Sequence, residues 1–227
     1  MKKQWQALSL ALAFASTSSV SLAEGDADAG KAKSATCAGC HGEIGNSMVA
    51  TFPKLAQQHP AYLIKQLQAF KDGTRKDAMM SSMAMGLSDD DMADIAEYYS
   101  EHKVSDNALP VLDSDDDEET GKGKPAEKTA TPTVQDMITQ GGDLYRNGDL
   151  PREVSACIAC HGPQGQGNKP AGFPLLKSQH ADYLIKALTD FKSDERSNNP
   201  ENIMHMIAKK MTGEEIKAVA YYISMMK

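Results

Sequence analysis

Aromatic residues are scarce in this chain. They make up 6% of 227 residues, with a single Trp. That length fits one medium domain or two small ones, and two small domains so poor in aromatics would have thin cores. Cores of that size usually need a staple such as a disulfide, a metal or a cofactor. A long apolar run is also missing. Residues 8–14 (LSLALAF) are too short, and too soon interrupted by Ser and Thr, to span a bilayer. Lys2 and Lys3 precede the run and Ser21-Leu22-Ala23 follows it. Together they read as a secretory signal over residues 1–23 rather than a retained anchor, with the mature chain beginning at Glu24. Positive charge is in deficit too: 24 Lys and Arg stand against 31 Asp and Glu, a formal charge of −7. Removing the two leader lysines deepens it to −9. This argues against nucleic acid and against adhesion to anionic lipid, and favours a partner with a basic docking face.

What the chain does have is a repeat. Residues 52–71 (FPKLAQQHPAYLIKQLQAFK) and 173–192 (FPLLKSQHADYLIKALTDFK) share 12 of 20 positions at an offset of 121. Cys37-Ala38-Gly39-Cys40-His41 returns as Cys157-Ile158-Ala159-Cys160-His161 at an offset of 120. The simplest reading is a duplicated small domain, residues 24–103 and 134–227. Between them, residues 104–133 include DSDDDEE at 113–119. Such a segment cannot bury enough apolar surface to fold alone and reads as a flexible acidic linker. The calcium-loop alternative, on Asp113, Asp115 and Asp117, lacks the glycine its sixth position needs; Glu118 stands there.

Each copy has helical periodicity. Ser88 and Asp91 form a capping-box start, and Met92, Ile95, Ala96 and Tyr99 then fall on one helix face. Thr212 and Glu215, followed by Ile216, Val219, Ala220 and Ile223, repeat the pattern. Residues 62–70 and 183–191 read as amphipathic helices. The stretches between each Cys-His and the following Phe-Pro are rich in Gly, Pro and Asn and read as loops. No strand alternation is convincing, so each copy is expected to be a small all-α unit with long loops packed around something.

Cys-x-x-Cys-His supplies that something: it is the attachment signature of c-type haem. Each thiol adds to one vinyl group to form a thioether, and the adjacent histidine is then held beneath the iron. A thioredoxin-like pair would need a βαβ context, which is absent. A shared zinc site would need the two pairs within roughly 20 residues of each other. Disulfides within each pair would leave the identically placed histidines unexplained. Cys37, Cys40, Cys157 and Cys160 use every cysteine in the chain.

The second axial ligand separates an electron carrier from an open-site enzyme, and His/Met ligation raises the potential. Aligning the last helix of each copy by its cap, Ser88 with Thr212, leaves one repeated methionine: Met80 with Met204. Met79, Met83 and Met85 align with Ile203, Ile207 and Lys209. His41 and Met80 are therefore the expected ligands of one iron, His161 and Met204 of the other. His59 and His180 also repeat. Each opens a helix, where a capping or hydrogen-bonding role competes with bis-His ligation.

With these residues the chain resembles the cytochrome c4 family, di-haem members of the class I cytochromes c. The Phe-Pro-x-Leu segments at Phe52 and Phe173, the Tyr-Leu-Ile-Lys runs and residues 142–168 carry the resemblance beyond the haem motifs. It implies two tandem class I cytochrome c folds with crossing terminal helices. It also implies that the Pro53 and Pro174 carbonyls hydrogen-bond the rings of His41 and His161. It further implies a periplasmic carrier passing electrons from a quinol-oxidising complex or dehydrogenase towards a terminal oxidase, associated peripherally with the membrane through its partners. No catalytic residue is required. The rival readings are a di-haem peroxidase or sulfur-compound oxidase, which would need an open or displaceable axial site, and a cytochrome subunit of a dehydrogenase. The long acidic linker departs from the family pattern.

Overall fold

The computed structural model describes residues 25–112 and 132–227. The expected leader over 1–23, and the acidic run at 113–119 with its calcium alternative, lie outside the described residues. Within them the chain is helical. Three isolated bridges are the strand-like pairings, and one joins Arg75 to Arg196.

The first copy holds α1 (Ala27–Lys33), α2 (Ala35–His41), α3 (Pro60–Asp72), α4 (Ala78–Met85) and α5 (Asp89–Ser100). The second holds α6 (Val134–Asn147), α7 (Ile158–His161), α8 (Ala181–Lys192), α9 (Ile203–Ala208) and α10 (Gly213–Ser224). Both expected capping boxes form, Ser88 with Asp91 on α5 and Thr212 with Glu215 on α10. A third, Thr133 with Asp136, opens α6. The predicted apolar faces point inward: α5 buries Met92, Ile95, Ala96 and Tyr99, and α10 buries Ile216, Val219, Ala220 and Ile223. Long loops follow each Cys-His, as the sequence predicts.

In each copy the first helix crosses the last, α1 on α5 and α6 on α10. Glycine makes the crossing close. A Cβ on Gly30 would sit 2.0 Å from the Asp94 carbonyl oxygen, and one on Gly141 2.0 Å from that of Ala218. Backbone atoms of a packed helix cannot step aside as a flexible side chain does. Gly141→Ala should therefore destabilise the second domain by at least about 1–3 kcal/mol, the usual scale for overpacking. Gly213→Ala, whose Cβ would meet nothing within 4 Å, serves as the control. Denaturant midpoints of the two variants check this: Gly141→Ala should fall well below wild type and Gly213→Ala should stay near it.

The two copies meet through a pseudo-two-fold contact that keeps the 121-residue offset. Gln58 donates from Nε2 to the Leu175 carbonyl at 2.9 Å and accepts from the Leu175 amide at 2.9 Å. Gln179 does the same with Lys54, at 2.9 and 2.8 Å. These groups are buried, and leaving a buried backbone polar group unpaired costs about 1–3 kcal/mol, so each glutamine holds two of them at once. His180 Nε2 lies 3.0 Å from the Ser47 carbonyl of the other copy. The matching His59 leaves its buried Nε2 without a hydrogen-bond partner among the described residues, and its ring lies near the Gln166 backbone of the other copy. Both histidines are the N-cap residues of their helices, α3 and α8, so they occupy the helix-start, inter-domain position.

Candidate functional site

In α2, Cys37, Cys40 and His41 stand at i, i+3 and i+4, which places both thiols and the ring on one helix face. In the second copy Cys157 caps α7, and Cys160 and His161 follow in the same register. The two Cys pairs stay apart, each with its own histidine. Among the described residues no three His, Cys, Asp or Glu side chains gather as a metal cluster. A shared zinc site therefore has no counterpart in the fold.

Both histidines are buried, with 5% of His41 and 7% of His161 exposed. His41 Nδ1 lies 2.8 Å from the Pro53 carbonyl and His161 Nδ1 lies 3.1 Å from that of Pro174. A carbonyl can only accept, so Nδ1 carries the proton and Nε2 presents its lone pair. Burial pushes both imidazoles below their ordinary value, against the opposing pull of the prolyl carbonyl. They are thus neutral, the form that ligates a metal, with orientation fixed from behind. The Phe52 and Phe173 rings sit 6.4 and 6.2 Å from them, centroid to centroid.

The thiols show the same economy of charge. Burial raises the Cys37 thiol above its ordinary value and pushes Cys157 up to about 11. Burial thus favours the uncharged thiol at these two positions. A thioether sulfur carries no charge and suits these surroundings. The donor set therefore fits a covalently attached haem in each copy.

Met80 and Met204 occupy matching places. Met80 lies in the first turn of α4, where its amide donates to Asp77 Oδ1 at 3.0 Å. Met204 lies in the first turn of α9, where its amide donates to Asn199 Oδ1 at 3.0 Å. Both are half-buried. Their neighbours Met79, Met83, Met85 and Met206 are 49–68% exposed. The unrepeated histidines have other partners: His205 Nδ1 bonds the Phe191 carbonyl at 2.8 Å, and His102 packs edge-on against Tyr98.

Sequence reasoning missed the Asp77 and Asn199 anchors, which differ in type and position between the copies. It also missed the interface residues, although Gln58 and Gln179 lie inside the repeat and Arg75 and Arg196 continue its offset four positions past its end.

A family model for cytochrome c matches residues 27–103 and 138–227. Cytochrome c4 of Pseudomonas aeruginosa is 39% identical over 195 residues, covering 86% of this chain and 85% of that protein. A thiosulfate dehydrogenase electron acceptor of Thiomonas intermedia is 35% identical over 193 residues, covering 85% and 79%. The crystal structure of reduced recombinant cytochrome c4 from Pseudomonas stutzeri superimposes with a TM-score of 0.76 at 38% identity, over 89% of this chain and all of that one. No described helix is long and apolar enough to cross a membrane.

Proposed function

This chain belongs to the cytochrome c4 family and carries two covalently attached haem c groups that transfer electrons, and we propose that it is a periplasmic carrier feeding a respiratory chain, with a terminal oxidase as acceptor. Cys37 and Cys40 hold one haem and Cys157 and Cys160 the other. His41 with Met80, and His161 with Met204, would hold the two irons. The observation that carries this is the duplicated imidazole geometry: in both copies a buried, neutral ring is held by a prolyl carbonyl with Nε2 free. Each haem supplies a one-electron ferrous–ferric couple. The chain's part is to fill both axial positions, exclude water and set the potential.

Residues 1–23 serve as the export signal, residues 24–103 and 134–227 as the two haem domains, and 104–133 as the acidic tether between them. Beside Met80, Met79 and Met83 stand at i and i+4 on one face of α4 and are exposed, with exposed Asp77 at the start of that helix and exposed Asp89 and Asp90 opening α5. That face suits a partner with an apolar patch rimmed by Lys and Arg. The electron donor is a quinol-oxidising complex or a dehydrogenase; the likeness to a thiosulfate dehydrogenase electron acceptor favours the dehydrogenase.

Carbon monoxide separates a carrier from an open-site enzyme. With both axial positions filled, adding it to the reduced holoprotein should leave both haem spectra unchanged. A shifted spectrum at either haem would expose a vacant or displaceable position and favour the peroxidase or oxidase reading.

A further inference from the structure

Each haem-attachment corner holds one fully buried tyrosine, and the two copies bring it from opposite helices. Tyr99 and Tyr145 are both 0% exposed. Tyr99 comes from α5, and the apolar cluster it belongs to packs against Cys37. Tyr145 comes from α6, and its cluster packs against Cys157. The exchange is reciprocal. Matching the crossing glycines, Gly30 with Gly141, pairs Ser34 with Tyr145. Matching the caps, Ser88 with Thr212, pairs Tyr99 with Ile223. The first copy therefore carries Ser34 and Tyr99 where the second carries Tyr145 and Ile223.

Phenylalanine would serve for packing alone, since a buried hydroxyl costs free energy unless it is hydrogen-bonded. Burial pushes both phenols above their ordinary value, and a charge on Cys37 or Cys157 would push them further. Each hydroxyl thus stays a proton donor close to the first cysteine of its motif. In the second copy the Tyr145 hydroxyl donates to the Gly162 carbonyl at 2.6 Å. In the first, the Tyr99 hydroxyl is buried and has no hydrogen-bond partner among the described residues. Ser34 stands nearby, but its hydroxyl donates to the Lys31 carbonyl at 3.0 Å. A buried donor without a partner calls for an acceptor. At this corner haem attachment turns Cys37 from a thiol into a thioether, whose sulfur can only accept.

We propose that the Tyr99 hydroxyl donates to the Cys37 thioether sulfur, and that its dipole, positive end towards the macrocycle, raises the potential of the first haem. A dipole held in a dry, buried corner acts more strongly than it would in water. Tyr145 is committed to Gly162 and gives the second haem no such bias. The two attachment corners, alike in sequence motif, are thereby unlike in electrostatics. This rests on a haem attached at Cys37 but not on which methionine ligates its iron, and the haem count per chain tests that separately.

The test is redox titration of the di-haem holoprotein carrying Tyr99→Phe, Tyr145→Phe or Ser34→Ala. Losing the O–H dipole disfavours the added electron. Tyr99→Phe should lower the reduction constant of one haem about threefold, which is about 28 mV for one electron, and leave the other haem in place. The thioether C–S stretching band in the resonance Raman spectrum should move with it. Tyr145→Phe should leave both potentials in place and lower the denaturant midpoint, because the Gly162 carbonyl loses its donor. Ser34→Ala should leave both potentials in place. Three results would overturn the proposal: unchanged potentials in Tyr99→Phe, equal shifts in Tyr99→Phe and Tyr145→Phe, or a Ser34→Ala shift matching that of Tyr99→Phe, which would make Ser34 the acceptor.

Discussion

Replacing Met80 with alanine should lower the potential of one haem by tenths of a volt and leave the other where it was. Haem potentials vary over roughly 0.8 V with axial ligation, and a thioether ligand raises them. Met80 sits in the first turn of α4, held by Asp77 through its backbone amide, so the substitution should remove the sulfur without unwinding the helix. Alanine is also the best helix former. Met204 lies in the other copy on α9, anchored by Asn199, and its iron should be untouched. Redox titration should therefore show two resolved waves, one displaced far to the negative. The matching Met204→Ala variant should displace the other wave. If a single variant moved both waves by similar amounts, one methionine per haem would be the wrong assignment.

The largest effect on stability should follow loss of the first haem. Cys37→Ser with Cys40→Ser should reduce the bound haem from two to one per chain and unfold the first domain, while the second keeps its helices. The difference lies in the cores. In the first domain the buried apolar cluster of α3 and α5 is Leu63, Ile95, Ala96, Tyr98 and Tyr99, with Cys37 itself packed against it. The second domain's cluster is twice as large and draws on α6, α8 and α10. A domain of under about 80 residues rarely gains more than about 3–5 kcal/mol from such a core. Without haem the first domain also leaves the buried His41 without its metal. Haem counts, with circular dichroism and amide exchange by domain, check this; a variant with one haem and two fully protected domains would show that the cofactor is not the staple.

Much of this molecule could be read from its sequence because duplication acts as a built-in comparison. It singled out Met80 and Met204 as the repeated methionines among several nearby, which is the ground on which they are proposed as ligands; both are half-buried in the first turns of α4 and α9. The helix faces of α5 and α10 and their capping boxes were equally plain, since caps and 3.6-residue periodicity are local properties. The crossing of α1 on α5 was less so. Gly30 and Gly141 carry it, and their meaning appears only when Asp94 and Ala218 are brought beneath them. The His59–His180 pair was visible as a repeat but ambiguous in role, because the Ser47 carbonyl that His180 meets lies 133 residues away. The interface arginines were hidden for the same reason. Arg75 and Arg196 are ordinary surface residues by type, and their burial depends on the opposite domain. Gln58 and Gln179 show how far the symmetry extends: equivalent residues make equivalent bonds to Leu175 and Lys54, so the duplication produced the interface as well as the domains.

The most direct test of the account is the oxidised absorption spectrum at the edge of the near infrared, where methionine-ligated ferric haem has its characteristic band. Its intensity, measured against haem content, should correspond to two methionine-ligated irons per chain, and Met80→Ala and Met204→Ala should each remove half of it. A wild-type band of half that intensity, or a band that survives either substitution in full, would contradict the assignment of His41 with Met80 and His161 with Met204.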